Sequence, residues 1–128
     1  MSKEIITGLK ATFLIHFIVG LILGIVFLLF PIELGTLMGM SIMEPETWRL
    51  LGAAIMGFTI SSIFAAREKE WEKVKILVEA EIVWTILGTI VIGYWLIFAS
   101  GPVLGWLFFI ILTAFAVAFI FFYYQQEK

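Results

Sequence analysis

Polar positions divide the chain into four long apolar stretches. The first runs from Ala11 to Phe30 and stops at Pro31, and the second from about Trp48 to Ala66, where Arg67-Glu68-Lys69-Glu70 closes it. The third opens between Val74 and Ile76 and reaches Phe98, ahead of Ser100-Gly101-Pro102. The fourth runs from Val103 to Tyr124, ahead of Gln125-Gln126-Glu127-Lys128. A hydrocarbon core takes about 20 helical residues at roughly 1.5 Å each, so every stretch is long enough to cross. Period-two alternation is absent, which argues against a barrel, and a helix is the other way to satisfy backbone groups in lipid. The pattern predicts an all-α, four-transmembrane-helix bundle forming a single domain over 1–128, with helices at about 11–30, 48–66, 75–98 and 103–124. The first stretch reads as a retained helix, because it exceeds the roughly 7–15 residues of a leader's apolar core and no cleavage pattern follows Phe30. Residues 31–47 are too apolar for a free loop and too short to span. They are expected to lie along the interface as an amphipathic or re-entrant segment.

Composition strengthens this picture. Of the 128 residues, 62% are hydrophobic and 14% charged, and the mean hydropathy is +1.12. A water-soluble domain of this size could not hide so much apolar surface. The absence of Cys excludes disulfides, thiol redox chemistry and Cys-ligated metal centres. With 8 Lys and Arg and a net charge of −2, no basic patch exists for nucleic acid. The chain also lacks Asn and Asp, and nearly all its charges are Glu and Lys, a composition resembling that of thermophile proteins.

Charge placement predicts the orientation. Both chain ends and the connection between the second and third stretches carry seven cations (Lys3, Lys10, Arg67, Lys69, Lys73, Lys75 and Lys128), against Arg49 alone on the other side. The positive-inside rule then places both termini in the cytoplasm. Trp48, Trp71, Tyr94, Trp95, Trp106, Tyr123 and Tyr124 lie near the ends of the stretches, as interfacial aromatic belts do.

Inside lipid, helices associate through small residues and hydrogen bonds. Gly20 and Gly24 in the first stretch continue an i+4 row through His16 and Thr12, and Ala53, Gly57, Ser61 and Ala65 make a similar row in the second. Gly88, with Glu81 and Thr85, does so in the third. The candidate site lies on these rows. His16 is six residues beyond Lys10, Ser61 six before Arg67, and Glu81 six beyond Lys75. Six residues place each about 9 Å inside the cytoplasmic boundary. Ionisable groups at such depth are costly, so they face the bundle interior and find partners. His16, Ser61, Glu81 and Thr85 are therefore expected to form one polar layer with His16 and Glu81 as its pair, either as structural hydrogen-bonding groups or as a proton-handling site. Glu79 points away and is expected to pair with Lys75, and Ser62 is expected to bond back to its own helix.

Metal binding has little to draw on. One His and one Glu fall short of a zinc site unless a dimer doubles them. Met38, Met40 and Met43 offer thioethers of the kind that hold Cu(I), although methionine in such a segment serves equally as apolar filler. Glu33, Glu44 and Glu46 with Arg49 are read as a solvated charge cluster, and 67–73 as a solvated helix end. No cofactor is expected.

The run Glu46-Thr47-Trp48-Arg49-Leu50-Leu51-Gly52-Ala53-Ala54, followed by Arg67, Glu70-Trp71-Glu72 and Glu81-Ile82-Val83-Trp84, resembles a family of small four-helix prokaryotic integral membrane proteins known mainly as uncharacterised. The resemblance covers nearly the whole chain and implies the fold without implying an activity. Small multidrug transporters differ in carrying a carboxylate in their first helix, where His16 stands here, and fluoride channels in a broken third helix, where Ile82 to Phe98 is unbroken. No nucleophile–base pattern or phosphate loop is present. The expected function is that of a non-enzymatic membrane protein, in contact with lipid and self-associating or accessory to another membrane subunit. The alternatives are a small proton-linked transporter or channel using His16 and Glu81, and a lipid- or quinone-binding protein or enzyme.

Overall fold

The computed structural model describes residues 3–128. It contains five helices and no strands among these residues: α1 (Thr7–Leu29), α2 (Pro31–Leu37), α3 (Pro45–Arg67), α4 (Trp71–Phe98) and α5 (Gly105–Glu127). The four long helices are each apolar and long enough to cross a membrane. Proline starts both α2 and α3, at positions where its missing N–H costs nothing. Of the segment 31–47, only Pro31–Leu37 is the short helix α2, with Pro31, Leu34 and Gly35 turned inward. Gly39 then turns the chain with φ +73°, a conformation favourable only to glycine.

The helices extend beyond the apolar stretches that predict them. α1 begins at Thr7 because Ile5 and Leu9 are buried, and α4 begins at Trp71 because Trp71 and Val74 are buried. Trp71 is therefore no member of an interfacial belt. It is fully enclosed, and its Nε1–H donates to Glu127 Oε1 at 2.7 Å.

α1 packs most closely on α3 and α4 on α5, while α1–α5 and α3–α4 contacts join these two pairs more thinly. The α1–α3 seam is antiparallel and read through small residues. Gly20 lies on Thr59, Gly24 on Met56, and Gly52 on Phe27 and Leu28. A Cβ at Gly52 would sit 2.8 Å from the Leu28 nitrogen, so the two backbones meet there. The glycines of α1 are thus used within the chain. Ala53 and Gly57, expected on the packing row of α3, face outward instead, and a Cβ on Gly57 would meet nothing. The reason is geometric: each i+4 step advances about 40° around a helix, so a row of such steps wraps off the contact face, whereas alternating steps of three and four hold it. The face that α3 buries, Gly52, Thr59, Ser62 and Ala65, is spaced by seven, three and three residues and so stays on one side of the helix. Gly88 packs on Leu112 across the α4–α5 seam.

The segment from Lys3, the C-terminal end of α5 and the α3–α4 connection meet at one end. Glu4 and Glu70 form an antiparallel bridge, Ile5 N–H donates to Lys69 O at 3.0 Å, and Trp71 N–H to Lys3 O at 2.8 Å. The Gln126 amide ties the tail to this segment by accepting from Ile6 N–H at 3.0 Å and donating to Glu4 O at 2.8 Å. A filled core of Leu9, Phe13, Trp71, Val74, Val78 and Phe119 lies beneath. At the far end a smaller cluster of Phe27, Leu34 and Met38 gathers Trp48, Trp95 and Phe108 around it.

Candidate functional site

Between these two clusters α1, α3 and α4 bring three polar side chains together. His16 Nδ1 lies 2.7 Å from Ser62 Oγ, and His16 Nε2 lies 3.3 Å from Glu81 Oε2. The expected pair forms, but the hydroxyl beside it belongs to Ser62. Ser61 donates to its own Phe58 carbonyl at 2.7 Å and takes no part. This reverses the expected roles of the two serines, and it follows from the same rotation that turns Gly57 outward. Ser62 also reaches the Phe58 carbonyl, at 3.0 Å. Thr85 is fully buried one turn beyond Glu81, yet its hydroxyl donates to the Glu81 carbonyl at 2.7 Å, not to the carboxyl.

Glu81 is 1% exposed, and neither carboxyl oxygen has a well-aligned hydrogen bond. Its polar neighbours include the imidazole, itself wedged by the rings of Phe115 and Phe119 at centroid distances of 4.8 and 5.7 Å. Donor counting constrains the protons. If the Ser62 hydroxyl donates to the Phe58 carbonyl, Nδ1–H must donate to Ser62 Oγ. Nε2 then faces the carboxyl, and one proton in that gap satisfies both groups whichever of them carries it. An empty gap would set lone pairs against each other in a dry interior.

Above the His16 ring, toward the α2 end, the bundle opens into a cavity of about 540 Å³. His16 and Thr85 form its floor, Gly20, Ile55, Gly88 and Ile111 contribute to its walls, and Met38, Thr47 and Trp48 rim it. Of its lining residues, Thr47, Leu51, Leu87 and Val91 are exposed, and all four belong to α3 or α4. The cavity is therefore a slot opening sideways through the thin α3–α4 seam. Phe58 and Trp84 stack across that seam with centroids 5.5 Å apart and 11° between planes, closing it at the level of the floor. Trp48 stacks on Phe27 at 5.6 Å, and Trp48 and Trp95 line the slot. The alternating 3–4 spacing of Trp48, Leu51, Ile55 and Phe58 was the available sequence signal for the slot face of α3.

The secondary candidates resolve differently. Glu79 accepts from Tyr123 Oη–H at 2.9 Å, while Lys75 pairs with Glu127 at 2.9 Å, so the expected Lys75–Glu79 pair does not form. The α5 tail is nearer to both than the helical spacing alone implies. Met38 is buried against the slot, whereas Met43 is 90% exposed, so the three thioethers share no common environment. Among the described residues no three His, Cys, Asp or Glu groups converge on a metal position. Arg49 pairs with Glu46, and its Nε–H donates to the Leu28 carbonyl at 3.2 Å. No family model, curated protein or solved structure matches the chain.

Proposed function

We propose that this chain is a non-enzymatic multi-pass membrane protein that takes a lipid-soluble molecule into the slot between α3 and α4. The observation that carries this reading is the slot itself: about 540 Å³, apolar, and open sideways where lipid would lie. That volume falls within the roughly 300–1,000 Å³ typical of ligand sites. A bundle built only to fold would gain by filling such a space, because each unfilled methyl-sized void costs about 1 kcal/mol. The test is native mass spectrometry of the protein released from nanodiscs of mixed bacterial lipid. Wild type retains bound lipid, and Ile111→Trp and Ile55→Trp, which fill the slot, lose it. Equal retention by all three proteins removes the reading.

A second reading, proton-linked transport, is favoured by the enclosed Glu81 carboxyl beside His16. Flux into liposomes by wild type against Glu81→Gln and His16→Ala tests it, and unchanged flux in both variants ends it. For orientation we propose cytoplasmic termini, on the seven cations grouped around them against Arg49 at the α2 end.

A further inference from the structure

The slot has a direction. Its floor is made by His16 and Thr85, and no polar hydrogen there remains to be offered. The imidazole is committed on one side to Ser62 and on the other to Glu81, and the Thr85 hydroxyl donates to the Glu81 carbonyl. A polar headgroup pushed to that depth would lose its water and gain no donor in exchange. The rim is the opposite case, with exposed Thr47 next to half-buried Trp48.

The slot also has a length. From Trp48 at the rim to Phe58 at the closing stack is ten residues of α3, or about 15 Å, half of a roughly 30 Å hydrocarbon core. A partner transmembrane helix, about 10 Å across and spanning the whole core, would collide with the Phe58–Trp84 stack. A single flexible chain entering from the α2 side would not. Because Leu51, Leu87 and Val91 leave the seam open along this length, a second chain joined to the first can remain outside among the lipids.

We infer that the slot receives one acyl chain of a bilayer glycerolipid, methyl end first, from the leaflet on the α2 side, with the headgroup held at the rim near Thr47. This rests on the lipid-binding reading above and adds to it the chemical class, the leaflet and the direction of entry. His16 and Thr85 then act as the stop that the chain end meets, and the sealed Glu81 lies beyond reach of the ligand.

Photolabelling distinguishes the two levels of the proposal. The protein is reconstituted in phosphatidylcholine vesicles containing a trace of phosphatidylcholine with a diazirine either at the methyl end of one acyl chain or beside its ester. The methyl-end probe is expected to label Thr85 and Phe115, the ester-side probe Thr47 and Leu51. Labelling at the floor should fall about tenfold in Ile111→Trp and in Ile55→Trp, while labelling of the outward Leu50 stays unchanged in each. The reverse pattern, with the ester-side probe at the floor, overturns tail-first entry while leaving slot binding intact. Floor labelling by a diazirine fatty acid but not by the phospholipid overturns the glycerolipid assignment alone. No labelling inside the slot by any of these probes overturns both this inference and the reading beneath it.

Discussion

The neighbouring serines of α3 have opposite consequences although they are chemically identical. Ser62 is the hydrogen-bond partner of His16 Nδ1, so Ser62→Ala leaves a buried imidazole nitrogen unpaired, which costs about 1–3 kcal/mol. Ser61 bonds only its own helix, and Ser61→Ala should fall within about 0.5 kcal/mol of wild type. Thermal unfolding in mild detergent separates them, and equal losses would contradict the observed rotation of α3. At His16 and Glu81 the asymmetry lies between breaking the pair and removing it. His16→Ala leaves the enclosed Glu81 carboxyl without its partner and should cost about 1–3 kcal/mol beyond the lost packing, whereas pairing His16→Leu with Glu81→Leu recovers most of that loss. A double variant no better than the single would show that the pair contributes nothing to stability through its contact. That both groups lie at one level was readable in the sequence, because each stands six residues from a flanking cation and the two side chains meet. Which serine joins them was not, since rotation about the helix axis depends on the neighbour it packs against.

Helix contacts explain which glycines matter. Gly52→Ala drives a Cβ toward the Leu28 backbone, which cannot yield, and should cost about 1–3 kcal/mol. Gly57→Ala meets open space and should stabilise the helix by up to about 1 kcal/mol through its better propensity. Denaturation of the two variants in parallel checks the sign of each change. The α3–α4 connection carries a pH-dependent element. The Lys69 backbone N–H, 2.9 Å from Glu68 Oε1, holds that carboxyl below its usual range, helped by the Glu70 N–H and by Lys73. Its folded value is depressed, so its stabilisation is present above the ordinary carboxylate range and lost as pH falls through the lowered value. Glu68→Gln should therefore unfold at a lower temperature than wild type at neutral pH, and the gap should close in acid. A gap that widens in acid would give the wrong sign.

At the scale of the whole molecule, the bundle is dry and filled where the termini meet and hollow toward α2, with the His16–Ser62–Glu81 group at the boundary. The proposed orientation is directly measurable because the chain contains no cysteine. Cysteines placed singly at Lys69 and at Ser41 should react oppositely with a membrane-impermeant maleimide in right-side-out vesicles: Ser41→Cys is labelled and Lys69→Cys is protected until the membrane is opened. The reverse would put the termini outside.

Run lengths and the position of each cation were enough to determine four long apolar helices and a buried His and Glu at matching depth. Spacing along a helix converts directly into distance from a boundary, and lipid leaves the backbone no other partner. Rotation and separation were decided only by the packed structure. Gly57 turned outward, Ser62 turned toward His16, and α3 stood far enough from α4 to leave a slot, because each follows from how two surfaces fit, and no single helix carries that information.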